Sequence, residues 1–121
     1  MGKMTTTSAD LAQTVLAGTF NATAATPPTN VALLGNFNVA VWGTFVGTAQ
    51  AVTSFDGGTT WIPVVNKRTG ANIVFTAPGA IQEDEVEPGV LYGLICTAYT
   101  SGTINWRLSE GASGGRVERL S

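Results

Sequence analysis

The chain has 121 residues, only 12% of them charged, and its formal net charge is −2. It contains no histidine, which excludes Ser-His and Cys-His catalytic pairs and histidine-ligated zinc, and this argues against an enzyme. Six basic residues are too few for a surface that follows a nucleic-acid backbone. The single cysteine, Cys96, has no partner for an internal disulfide, and its apolar surroundings predict a small buried side chain.

The charged residues are missing from one half of the chain. None occurs between Asp10 and Asp56, although about a quarter of the residues of a soluble domain are normally charged. A long uncharged stretch is typical of a surface that contacts another protein. Prolines and asparagines interrupt it well before the roughly 18 apolar residues of a membrane span, so we expect no membrane partner. The composition therefore predicts an assembly protein.

Residues 1–30 are rich in Thr, Ala and Pro, which predicts an extended N-terminal arm. Two local alternatives remain open within it. Ser8 or Asp10 caps a short helical turn, or residues 14–22 pair as an edge strand. The first residues lack the apolar core of a secretory signal, so we expect the chain to be cytosolic when it is synthesised.

Both ends of the chain carry candidate contacts with a neighbouring protein. In the arm these are the larger apolar side chains, Val15, Leu16 and Phe20. At the other end, residues 111–121 form a short tail in which a Gly-, Ala- and Ser-rich spacer precedes Arg116 and Arg119. Such a spacer is typical of a flexible tail, and its arginines are placed to reach a neighbouring subunit.

From residue 31 onward the hydrophobic period is two, which predicts β-strands. The expected strands are residues 36–45, 48–54, 60–65, 73–77, 90–99 and 103–108. No segment keeps a helical period for three turns. Six or more short strands with Gly-rich turns predict a single antiparallel β-sandwich, jelly-roll-like or immunoglobulin-like, over residues 31–110.

The same alternation predicts which side chains form the core. We expect burial of Phe37, Val39, Val41, Leu94, Cys96, Ile104, Trp106 and Leu108. Trp42 falls on the opposite face of its strand, where it is either part of a second core layer or an anchor of an interface. The acidic run at residues 82–89 lacks the spacing of a calcium loop, so we expect a solvated loop, no metal site and no cofactor.

The sharpest local pattern is residues 54–61, SFDGGTTW, which match the Asp-box spacing S-x-D-x-G-x-T-W of sialidases and other β-rich proteins. Its parts suit a hairpin turn, in which the aspartate accepts backbone N–H groups, the glycines take positive φ and the tryptophan packs back. The residues assigned to this structural turn are Ser54, Asp56, Gly57, Gly58, Thr60 and Trp61. Glycan binding through Trp61 is the alternative interpretation.

Four segments in the same order, residues 35–39, 54–64, 87–92 and 96–109, resemble small proteins encoded beside the capsid genes of tailed bacteriophages. The resemblance covers about residues 31–110. It implies a virion structural protein, a capsid decoration (cement) protein on the outer capsid surface, with the major capsid protein as its partner and no catalytic residues. Such proteins commonly form trimers, and the uncharged half of the chain likewise favours a homotrimer.

Other functions in a virion remain open at this point. One alternative is a glycan-binding head appendage that uses Trp61, Trp42 and Tyr99. Another is a tail or head-completion protein. An exposed group of aromatic side chains around Asp56 would favour the glycan-binding protein, whereas a flat uncharged face would favour the cement protein.

Overall fold

The computed structural model describes residues 14–110, and every regular element in this range is a β-strand. The strands are β1 (Val15–Phe20), β2 (Val31–Ala32), β3 (Gly35–Trp42), β4 (Phe45–Ser54), β5 (Ile62–Pro63), β6 (Val74–Phe75), β7 (Gly79–Glu85), β8 (Leu91–Gly102) and β9 (Ile104–Glu110). The described residues include no helix long and apolar enough to cross a bilayer. The all-β prediction is confirmed.

The strands form two antiparallel sheets that pack face to face. Sheet A has the order β1-β9-β3-β7, and sheet B has the order β2-β8-β4-β5, with β6 also paired to β4. The predicted β-sandwich is therefore confirmed. Residues of sheet A and sheet B meet in one hydrophobic core, where the rings of Phe37 and Tyr92 lie 4.7 Å apart.

The predicted core residues are all buried, each with at most 2% of its surface exposed. Those on sheet A alternate with outward-facing residues, as the period of two requires. On β8, Leu94 and Cys96 project into the same core. Burial raises the pKa of the Cys96 thiol, so this side chain serves as a small hydrophobic group.

The boundary predicted at residue 31 is wrong, because the sandwich already begins with β1. This strand pairs with β9 from Val15 opposite Ser109 to Phe20 opposite Ile104. Phe20 is only 3% exposed and stacks on Trp106 with ring centroids 6.1 Å apart. The alternative of an edge strand in residues 14–22 is thus confirmed, and the arm expected over residues 1–30 does not include residues 14–30. Residues 1–13 lie outside the described range.

The segment between β1 and β2 is also held against the sandwich. Ala24 exchanges two backbone hydrogen bonds with Cys96, at 2.9 and 3.1 Å. Pro27 is buried over Gly93, where an added Cβ would lie only 2.6 Å from the proline ring. Gly93 therefore permits the close approach of this segment to β8.

The strand predicted for residues 36–45 is interrupted by a turn that carries the chain from sheet A to sheet B. β3 ends at Trp42, Gly43 adopts a φ of 114°, and β4 begins at Phe45. The alternation of apolar residues continues through this turn, which is why the sequence alone suggested one strand. We also expected residues 101–102 to form a tight hairpin turn between two paired strands, and this prediction is wrong, because β8 lies in sheet B and β9 in sheet A. Gly102, with a φ of 87°, lies where the chain passes from one sheet to the other.

The prediction of a loop for the acidic run is wrong for its first half, because residues 82–85 belong to a strand. β7 pairs with β3 from Gly79 to Glu85 and forms one edge of sheet A. Glu83, which lies opposite Phe37, is only 8% exposed. An acidic sequence is unusual in a strand, but inward-pointing charges are a known feature of sheet edges.

Candidate functional site

The Asp-box turn connects β4 to β5 through a compact set of hydrogen bonds. The carboxylate of Asp56 accepts the backbone N–H groups of Thr59 at 3.1 Å and Thr60 at 2.8 Å. The hydroxyl of Ser54 donates to the same carboxylate at 2.8 Å and accepts the N–H of Gly58 at 2.9 Å. Three backbone N–H groups of the turn are thereby bound by two short side chains.

The remaining turn residues have the backbone and packing that the motif predicted. Gly57 and Gly58 have φ values of 74° and 96°, a region that favours glycine. The ring of Trp61 approaches within 3.8 Å of a Cβ placed on Gly58, so the tryptophan packs back over the turn. Each assigned residue thus contributes a hydrogen bond, a packing contact or a positive φ to the turn.

Hydrogen bonding stabilises the ionised form of Asp56. The backbone N–H of Thr60 is the largest cause, followed by the hydroxyl groups of Thr60 and Ser54, and together they lower the pKa of Asp56 from 3.8 to about 2. A depressed pKa means that the carboxylate favours the folded state above pH 4, and that this contribution disappears as the pH falls toward 2.

We expect Asp56→Asn to melt at a lower temperature than the wild type at neutral pH, because an amide is a weaker acceptor for the turn. The difference in melting temperature should shrink between pH 4 and pH 2, where the wild-type carboxylate becomes protonated. Thermal unfolding followed by circular dichroism at a series of pH values tests this. A difference that stays constant down to pH 2 would show that the carboxylate charge contributes nothing.

A second candidate site is the outer face of sheet A, the side turned away from the core. Along each strand of sheet A, core residues alternate with residues of this outer face, so the strand register shows which residues belong to the face. They are Val15, Ala17 and Thr19 of β1, Asn36, Asn38, Ala40 and Trp42 of β3, Ala80, Gln82 and Asp84 of β7, and Asn105, Arg107 and Ser109 of β9. Most of these side chains are small and uncharged, so the face is flat.

Two residues distinguish this outer face of sheet A. Trp42 is 46% exposed, so it is not part of a second core layer. The other interpretation, that Trp42 anchors an interface, remains a prediction. Arg107 lies between Ala17 and Ala40 in the register, and it makes no ion pair within residues 14–110. A large aromatic side chain and an arginine on a flat uncharged surface are typical components of a protein interface.

The residues near the two chain ends that we expected to contact a neighbouring protein differ in how exposed they are. Val15 is 43% exposed on the outer face of sheet A. Leu16 is half-buried against the core, and Phe20 is inside it, so the prediction of Phe20 as a contact is wrong. Arg116 and Arg119 lie outside the described residues.

The three aromatic residues of the glycan alternative are not brought together. Trp61 follows the turn after β4, whereas Trp42 precedes the first residue of that strand. A strand of ten residues separates these positions by roughly 30 Å. Tyr99 is half-buried and donates its hydroxyl to the carbonyl of Gly102 at 2.7 Å. Sequence reasoning missed Phe55, which is 59% exposed beside the Asp-box turn.

Most of the charged side chains in residues 14–110 collect at the β7 edge of the sandwich. Lys67 forms an ion pair with Asp84, and the hydroxyl of Tyr92 donates to Glu85. Burial raises the pKa of Tyr92, and its bond to Glu85 adds to the shift. These groups border an open cleft of about 210 Å³. No three His, Cys, Asp or Glu residues in the described range are arranged to hold a metal ion.

Comparisons of the chain with protein-family models, with curated proteins and with solved structures give no match. The geometry of the two candidate surfaces is therefore the basis of any functional argument.

Proposed function

We propose that this chain is a structural protein of a tailed-bacteriophage virion, a decoration (cement) protein on the outer surface of the capsid. Its partner is the major capsid protein, and it stabilises the shell by clamping neighbouring subunits. The observation that carries the proposal is the flat, nearly uncharged outer face of sheet A with Trp42 exposed upon it. The resemblance in residues 31–110 supports the same assignment.

The composition of this face suits close contact with a protein shell. Small side chains such as Ala17, Ala40 and Ala80 let another surface approach the sheet, while Trp42 supplies a large apolar contact area. Arg107 is placed to pair with a carboxylate, because a guanidinium forms two parallel hydrogen bonds with such a group. The charged β7 edge is the part of the sandwich that stays in water.

A cement protein acts by preferring the assembled shell to its free subunits. A ligand that binds one state stabilises it by RT ln(1 + [L]/Kd), which is about 2.7 kcal/mol per site at a concentration 100 times Kd. Because a shell offers many equivalent sites, modest binding at each one raises the temperature at which the particle releases its genome. No catalytic step is needed for this activity.

We expect Trp42→Ala to bind assembled shells of the major capsid protein at least about tenfold more weakly than the wild type, because an exposed interface tryptophan is a common hot spot. Binding of fluorescently labelled protein to purified shells measures the effect. Phe55→Ala serves as the matched control, since Phe55 is also a large exposed aromatic residue, 59% exposed against 46% for Trp42, but belongs to the Asp-box turn.

The outcome distinguishes the two surfaces. Wild-type binding by Trp42→Ala together with loss of binding by Phe55→Ala would reject the outer face of sheet A. It would instead favour the alternative that the Asp-box end binds a partner, such as a glycan, through Phe55 and Ile62, which border a shallow apolar cleft. Loss in Trp42→Ala alone supports the cement protein.

A further inference from the structure

The strands at the sheet edges differ in their protection against pairing with another chain. Natural edges are blunted by charge, proline or shortness. β7 carries three consecutive acidic residues at positions 83–85, β5 contains Pro63, and β2 is two residues long. β1 has none of these features: its sequence VLAGTF is uncharged, and its register with β9 is continuous.

The unpaired backbone groups of β1 can be assigned from the hydrogen-bond pattern. The N–H of Glu110 donates to the carbonyl of Thr14 at 3.0 Å, so residues 14, 16, 18 and 20 direct their backbone groups toward β9. Val15, Ala17 and Thr19 consequently direct their N–H and C=O groups away from the sheet. These groups have no partner strand within residues 14–110, and a row of this kind is a template for an added strand.

We propose that β1 pairs with β1 of a second copy of this chain, antiparallel and centred on Ala17. In this register Val15 lies opposite Thr19 of the second copy, and Ala17 lies opposite its counterpart. Each of these pairs joins residues whose backbone N–H and C=O groups point away from β9, so the two β1 strands can form hydrogen bonds with each other. The side chains on the outer face of one copy lie on the same side of the joined sheet as those of the second copy. The result is a two-fold dimer with one continuous eight-stranded sheet.

The inward-facing side chains are complementary in the same register. Leu16 lies opposite Gly18 of the second copy. Gly18 has no room for a side chain, because an added Cβ would lie 2.6 Å from the ring of Trp106. Leu16 is only half-buried in the single chain, and the paired strand covers its remaining exposed surface. No charged residue enters the new strand pair.

A second copy fits this edge better than an unrelated strand, because the edge is complementary to itself in backbone, side-chain size and charge. Pairing also doubles the outer face of sheet A and leaves it continuous. Self-association through β1 does not depend on the proposed binding to a capsid. It favours a two-fold dimer over the homotrimer expected from the sequence.

The first test is the mass of the full chain in solution. Sedimentation equilibrium at tens of micromolar should give about 25 kDa, twice the 12.5 kDa of one chain. Ala17→Glu should weaken the dimer at least tenfold, because two carboxylates would face each other at the two-fold axis, while Arg107 stabilises the glutamate within each copy. Gln82→Glu, which adds the same charge on β7, should stay dimeric.

The second test is a disulfide across the two-fold axis. Directly opposed residues of a hydrogen-bonded antiparallel pair have Cα atoms about 5.5 Å apart, within the range of a disulfide. Ala17→Cys should therefore form a covalent dimer on mild oxidation, whereas Gln82→Cys should not. Cys96 is 1% exposed and does not interfere. A wild-type monomer or trimer, or an Ala17→Cys protein that fails to cross-link, would overturn the proposal.

Discussion

Trp106→Ala is expected to lower the free energy of unfolding by about 3–5 kcal/mol, the usual cost of removing a fully buried tryptophan. Trp106 is 2% exposed and lies beneath β1, where its ring stacks on Phe20 and fills the space that Gly18 leaves open. The substitution removes contacts with both β1 and the core, and the sheet cannot collapse fully into the cavity. Urea unfolding followed by intrinsic fluorescence and circular dichroism measures the change.

Trp42→Ala is the matched control for this experiment, because it makes the same substitution at a side chain that is 46% exposed. Its effect on stability should stay within about 0.5 kcal/mol, as for most surface substitutions. Trp106→Phe adds a further comparison, since the indole Nε1 is buried without a hydrogen-bond acceptor among the described residues. Removing this donor offsets part of the lost packing. Equal losses in the two alanine variants would contradict the burial assigned to Trp106.

Phe20→Ala is expected to cost about 3–5 kcal/mol as well, although Phe20 lies in the segment whose composition suggested a free arm. The reason is that Phe20 is 3% exposed and belongs to the core of the sandwich. Val15→Ala, five residues earlier in β1 and 43% exposed, should cost less than about 1 kcal/mol. Chemical unfolding of both variants provides the comparison.

The Phe20 experiment separates a strand from an arm. If β1 were only a leader laid on a partner, both variants would unfold like the wild type. A large loss in Phe20→Ala alone establishes that residues 15–20 are needed for the fold. Deletions intended to test a capsid-binding arm should accordingly stop before Thr14, because longer ones remove a strand of sheet A.

The parts of the fold that could be predicted are those with a local signal. In residues 104–108, apolar and polar side chains alternate without exception, so the inward positions of Ile104, Trp106 and Leu108 followed directly. The Asp-box turn was equally accessible, because its hydrogen bonds join residues at most four positions apart. Patterns of this kind are set by the period of a strand and by turn geometry.

The parts that were missed depend on distant partners. β1 belongs to a segment, residues 1–30, that is poor in large apolar groups, and its burial comes from β9, about 90 positions later in the sequence. β7 resembled a loop because its acidic residues obscured the pairing with β3. The outer face of sheet A could not be assembled from the sequence either, since it combines β1, β3, β7 and β9, whose neighbours are fixed only by the topology.

The strand order of sheet A also has a consequence for biosynthesis. β9 lies between β1 and β3, so neither strand can complete its pairing until residues 104–110 have been synthesised. Sheets dominated by such long-range pairs typically fold in milliseconds to seconds. During translation the apolar sides of β1 and β3 remain uncovered, a situation that favours association between nascent chains. Sheet A is consequently completed only after all four of its strands have been synthesised, and the yield of folded protein in the cell should depend on chaperones and on the rate of synthesis.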